Sequence, residues 1–159
     1  MISCIYSFEE VFTGTNGGKV KRHVLRLKEE MDYERVLDAA ILYADKENVL
    51  LLPEIHKDET SIRQVLGLSG KTNPDLLVGN ILVDVKSPYS VEEISKNACR
   101  AYKQGAIACI TDDHCVIKED QLPMYAERVL QSQGYHFDEV HFVVNGILYK
   151  YNSQGRILG

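Results

Sequence analysis

Apolar residues recur along this chain with two periods, and each change of period marks a boundary between a helical and an extended segment. Over residues 32–46, Val36, Leu37, Ala40, Ile41 and Ala44 fall three and four apart, which predicts an amphipathic helix with Asp32 as its cap. Residues 49–53 are continuously apolar, as a strand covered on both faces would be. A short helix is expected over 58–66, then a loop over 67–73. In residues 75–86 two apolar runs flank Gly79-Asn80, the pattern of a two-residue hairpin turn. Ser90-Val91-Glu92-Glu93 has the form of a capping box and should open a helix to Gln104, with Gly105 at its stop. Residues 106–110 read as a buried strand. Pro123 suits the start of a helix to about Gln133, stopped by Gly134. The runs 139–144 and 147–151 flank Asn145-Gly146, which favours a type I′ turn. Upstream, a strand over 19–27 follows the glycine-rich loop 13–18 (TGTNGG), a weak phosphate-loop candidate because no Lys-Ser/Thr ends it. The expected class is α/β, a mixed central sheet with helices on its faces plus a C-terminal hairpin.

Length and composition narrow this. At 159 residues, 45% hydrophobic and 26% charged, the chain suits a single domain with a real core and excludes wholesale disorder. Its expected parts are an N-terminal extension (1–30), a core (31–112) and a C-terminal helix and hairpin (113–159). No apolar run approaches the roughly 20 residues of a membrane span, and MISCIYSFEE lacks the basic start of a secretory signal. Cys4, Cys99, Cys109 and Cys115 show no C-x-x-C spacing, so a structural zinc site is not expected and reduced cysteines in the cytoplasm are. The five histidines include no i,i+4 pair, although His56 and His114 follow strand ends. A net charge of −5 excludes a histone-like basic coat.

The chemistry gathers around the first hairpin. With Gly79-Asn80 as the turn, Asp75 opposes Asp84, and like charges directly opposed destabilise a sheet unless a cation or shared proton joins them. Alternation puts Lys86 on the face of Asp84, and Glu54 stands at the end of the 49–53 strand. Three acids and a lysine suit a hard divalent ion such as Mg²⁺, which prefers oxygen ligands and activates a bound water.

Pro74-Asp75 followed by Asp84-Val85-Lys86 resembles the PD-(D/E)XK nuclease signature, in a helix, strand, strand, strand, helix, strand order like that superfamily's restriction-endonuclease-like αβββαβ core. Leu51-Leu52-Pro53-Glu54, Asn73-Pro74-Asp75-Leu76-Leu77, Asp84-Val85-Lys86-Ser87-Pro88 and the segment from Ile94 to Gln104-Gly105-Ala106 are similar to the C-terminal tRNA-nuclease toxin domains of contact-dependent growth inhibition (CdiA-type) proteins. The similarity spans residues 34–112. It implies metal-dependent phosphodiester cleavage with Mg²⁺ or Mn²⁺, Glu54, Asp75 and Asp84 as ligands and Lys86 as the catalytic lysine. It further implies RNA, tRNA above all, as substrate and an immunity protein as a possible partner; the lack of a long apolar run separately leads to the expectation of no membrane. Such toxin domains usually end a long delivery protein, and this sequence departs from that pattern by opening on Met1. The expected place is the cytoplasm, or a target cell's cytoplasm if the chain is part of a toxin system. Two alternatives stand beside this: a DNA endonuclease of a mobile element, and a non-catalytic binding module on the same fold.

The expected substrate surface is one helix face. Lys96, Arg100 and Lys103 fall at i, i+4 and i+7, with Gln104 close to the lysine of the site. Lys57 and Arg63 would extend the basic surface, and Tyr89 and Tyr102 are candidates to stack on bases.

Overall fold

The first strand lies upstream of where the apolar pattern begins. The computed structural model describes residues 8–26, 28–68 and 72–158 and places β1 (Phe8–Thr13) antiparallel to β2 (Lys19–His23), with a bulge between Glu10 and Phe12. The chain is mixed α/β and divides into two compact units, residues 1–82 and 83–159.

In the first unit, β3 (Val49–Leu51) runs parallel to β2 and antiparallel to β4 (Leu76–Val78), with Leu50 opposite Leu77. The helix α1 (Tyr33–Tyr43) buries Tyr33, Val36, Ala39, Ala40 and Tyr43 along one stripe and packs on β3 and β4. Leu50 and Leu77 instead join a second apolar group with Leu52, Ile55 and Leu68, which Ile62 of the short helix α2 (Thr60–Val65) also contacts. Both faces of β3 are therefore covered, as its unbroken apolar run requires.

Two expectations here are corrected. The strand expected over 19–27 stops at His23 because the Arg22 guanidinium donates to the carbonyls of His23, Val24 and Arg26, folding the chain into a turn; Leu27 lies outside the described residues. Asp32 precedes α1 but does not cap it, since its carboxylate accepts from Arg26, a buried guanidinium that also pairs with Glu30. The glycine-rich loop is likewise accounted for by packing. The amide of Gly14 donates to the Gly18 carbonyl at 2.7 Å, and Thr15 and Asn16 donate to Asp45. A Cβ at Gly14 or Gly18 would run into the Ala44 carbonyl at the end of α1. The glycines permit close approach to a helix end.

The second unit is built on parallel pairing. The strand β5 (Ile81–Lys86) enters it at Val83, and β5, β6 (Ile107–Thr111) and β7 (Val140–Val144) are parallel neighbours. β8 (Ile147–Asn152) and an unforeseen β9 (Gly155–Ile157) continue it antiparallel. Asn145 and Gly146 both take positive φ (51° and 75°), with Val144 opposite Ile147, as the expected type I′ turn demands. The helices α3 (Ile94–Lys103) and α4 (Leu122–Leu130) pack against each other and bury Ile94, Ala98, Ala101, Leu122, Ala126 and Val129 against Ala108, Ile110, Val140 and Phe142. The capping box does not form: Ser90 makes no side-chain cap, and residues 91–93 are a 3₁₀ turn leading into α3. The end of α3 behaves as expected, with Ala106 N–H donating to Ala101 at 3.1 Å and Gly105 N–H to Tyr102 at 2.9 Å. α4 ends at Leu130, short of Gln133.

On the other face of β7, His141 is buried with Nε2 2.8 Å from Glu139 Oε1, the nitrogen donating to the carboxylate, and Lys150 is its cross-strand neighbour. Burial, above all, pushes the imidazole below its ordinary value of 6.5; the Glu139 bond opposes this and Lys150 reinforces it. The bond from His141 holds Glu139 below its ordinary 4.5. The folded His141 is thus neutral where the unfolded one protonates, so its stabilisation is present above about pH 6.5 and is lost as pH falls. That of Glu139 is lost from about pH 4.5 downward. Urea unfolding should show stability dropping from pH 7.5 to 5.5 and a shallower drop in His141→Gln; an unchanged slope in the variant would contradict the assignment.

Candidate active site

Asp84 and Lys86 point to the helix-covered face of the second unit. In the parallel register Asp84 lies beside Ala108 and Lys86 beside Ile110, and both of those residues face α3 and α4. Asp84 is consequently 3% exposed although it is a carboxylate. Lys86 Nζ approaches Asp84 Oδ2 at 2.9 Å, and Gln104 Nε2, just past α3, donates to the same oxygen at 3.0 Å. No hydrogen bond from a described residue falls on Oδ1. The sequence expectation that Gln104 lies close to the lysine is sharpened: its amide is aimed at the shared carboxylate.

The rest of α3 behaves as the spacing predicts. Ile94, Ala98 and Ala101 face the core, while Lys96, Arg100 and Lys103 are exposed. Asn97 is turned back on its own helix, donating to Glu93 O at 2.8 Å. Tyr102 contacts Tyr135 and Phe137 edge-on, with centroids 5.3 and 5.1 Å away, a packing role more than a free stacking surface.

Glu54 and Asp75 belong to the first unit. Leu52 N–H donates to Asp75 O at 2.9 Å, so β3 and β4 stay joined one step beyond their ends, and Glu54 leaves from that same end. Glu54 is exposed and Asp75 is half-buried. Arg63 corrects an expectation. It is 3% exposed, donating to Ile55 O at 2.7 Å, to Asn73 Oδ1 at 3.1 Å and to the Thr72 carbonyl. Asn73 also accepts from Ile55 N–H at 2.9 Å. The guanidinium ties Ile55 to Thr72 and Asn73 instead of extending a basic surface; Lys57 stays exposed. Among the described residues no group of three or more His, Cys, Asp or Glu is placed to hold a metal ion.

Comparisons with family models, with curated proteins and with solved structures give no match. What the site can do is therefore read from its chemistry. No helix among the described residues is long and apolar enough to cross a membrane. Among the described residues Cys99 and Cys115 are free thiols and Cys109 is buried; Cys4 lies outside them.

Sequence reasoning missed the polar link at the exits of β5 and β6. The Ser87 and Thr111 hydroxyls hydrogen-bond to each other there, and Thr111 Oγ1 donates to Asp113 Oδ2 at 3.1 Å. Asp112 accepts from the Asn145 amide at 3.0 Å. A hydroxyl at the end of each of two parallel strands was the only available signal.

The Asp84–Lys86 pair is testable as a pair. Removing only the lysine charge leaves a buried carboxylate uncompensated, whereas removing both can be close to neutral. Lys86→Met should cost about 1–3 kcal/mol, less than a fully buried pair because Lys86 keeps 21% of its side chain exposed. Adding Asp84→Asn should recover much of that loss in a double-mutant cycle read by urea unfolding; strict additivity would show that the two groups do not interact.

Proposed function

We propose that this protein is a metal-dependent endonuclease of the PD-(D/E)XK type that hydrolyses phosphodiester bonds, in RNA of the tRNA class in preference to DNA. The observation that carries it is the buried Asp84 carboxylate, held by Lys86 and Gln104 beside an exposed basic helix face. A fold gains little from burying such a pair in place of apolar residues, so its presence on a helix-covered sheet face points to chemistry. The chain order α1, β3, β4, β5, α3, β6, with α2 between β3 and β4, supports a restriction-endonuclease-like core. The preference for RNA, and an immunity protein as partner, rest on the sequence resemblance alone.

In this reading Asp84 would be a ligand of Mg²⁺ or Mn²⁺, since carboxylate oxygens are the donors such ions prefer; Glu54 and Asp75 as further ligands rest on the sequence alone, as no three acids are grouped for a metal among the described residues. When bound, the ion supplies a water of lowered pKa and offsets charge on the scissile phosphate. Lys86 presents an ammonium to the reacting phosphate and orients the attacking water. Gln104 fixes the carboxylate plane, making it a positioning residue. Lys96, Arg100 and Lys103 hold neighbouring phosphates without reading sequence.

Incubation of the protein with tRNA and with duplex DNA, in Mg²⁺, Mn²⁺ or chelator, tests this. Metal-dependent cleavage of tRNA is expected, falling on the order of 10²-fold or more in Asp84→Asn and in Lys86→Ala. Full cleavage by either variant would overturn the site, cleavage of DNA alone would reverse the substrate, and binding without cleavage would make the chain a binding module.

A further inference from the structure

Where β5 and β6 end, two aromatic rings stand against each other in solvent. Tyr89 and His114 stack with centroids 4.6 Å apart and planes 5° from parallel. Tyr89 is 74% exposed and His114 is exposed too, so burial of apolar area is not what keeps them together. Their position is set by the strand exits. Lys86 and Ile110 are register partners, so Ser87 and Thr111 leave the sheet side by side, joined through their hydroxyls. The buried Pro88 then restricts the path to Tyr89, and the bond from Thr111 to Asp113 restricts the path to His114. Both rings are thus carried on short, tied segments, a preorganised surface with its stacking geometry already set.

We propose that Tyr89 and His114 form a stacking platform for an unpaired nucleobase of the substrate strand, beside the Asp84–Lys86 site. The proposal deepens the nuclease reading and rests on it. Tyr89 follows Lys86 by three residues, at most roughly 11 Å of chain, so a strand whose phosphate lies at Lys86 brings a neighbouring base within reach. Charge decides which part of the nucleotide meets the rings. His114 also lines a cavity of about 840 Å³ in which the carboxylates of Asp112, Asp113, Glu119 and Asp120 outnumber the single ammonium of Lys118. Those carboxylates repel a phosphate but not an uncharged base, while the cations that hold the backbone are on β5 and α3. Stacking on aromatic faces is tolerant of sequence, as suits an enzyme that chooses substrate by shape and strand state.

The chain contains no tryptophan, so Tyr89→Trp introduces a single indole reporter at the platform. In chelator, where nothing is cut, a short single-stranded RNA should quench its emission saturably, and a ribose-phosphate chain of the same length without bases should not. Adding His114→Ala should weaken RNA binding by about 5- to 150-fold. With wild-type protein and labelled RNA, anisotropy gives the same comparison for Tyr89→Ala, free of any folding effect of the indole. In cleavage, Tyr89→Ala should raise KM by a similar factor with kcat within about two-fold, and Tyr89→Phe should restore it. Equal responses to RNA and the baseless chain, or a Tyr89→Ala variant that binds RNA like wild type, would overturn the platform even if cleavage is intact. Base-dependent quenching in a protein that cuts neither RNA nor DNA would uphold the platform and overturn the nuclease reading.

Discussion

A carboxylate on the helix-covered face of a sheet must be answered by a cation or by donors, and the local structure of the second unit is arranged to answer Asp84. The parallel register of β5 against β6 turns Asp84 and Lys86 to the side that α3 covers, and α3 ends where Gln104, the residue just past it, can reach the carboxylate. Shortening α3 by a turn would remove the amide; shifting β5 by one residue would exchange Asp84 and Lys86 for Val83 and Val85. The ion pair thus depends on strand register and helix length at once. The opposite side of the same helix exposes Lys96, Arg100 and Lys103.

Much of this was legible in the residues, for identifiable reasons. α1, α3, the apolar β3 and the Asn145-Gly146 turn are segments in which periodicity, turn chemistry and burial agree, and each forms where expected. The misreadings arise where a polar side chain is recruited by something distant in sequence. Asp32 looks like a cap because it precedes a helix, but Arg26 takes it. Ser90 and Glu93 have capping-box spacing, yet the chain enters α3 through a 3₁₀ turn in which Glu93 accepts from Tyr89 N–H. Arg63 reads as surface charge in an exposed helix pattern, and its guanidinium is consumed by backbone carbonyls across a loop.

The candidate site divides the same way. Asp84 and Lys86 were found because period-two alternation puts them on one face, and Gln104 because it ends an amphipathic helix. The hydroxyl link between Ser87 and Thr111 and the ring pair beyond it were not legible, because they depend on two strands far apart in sequence lying parallel in one register. The sequence marks His114 only as a histidine after a strand end and Tyr89 only as a candidate to stack on bases. Neither spacing says that the rings meet.

Asp84 is proposed as a ligand for a divalent ion and not simply as one half of a structural ion pair. Calorimetric titration of the full chain with Mn²⁺ tests it most directly. Saturable binding that competes with Mg²⁺ and disappears in Asp84→Asn is the expected result. Identical isotherms for the wild type and Asp84→Asn would contradict it.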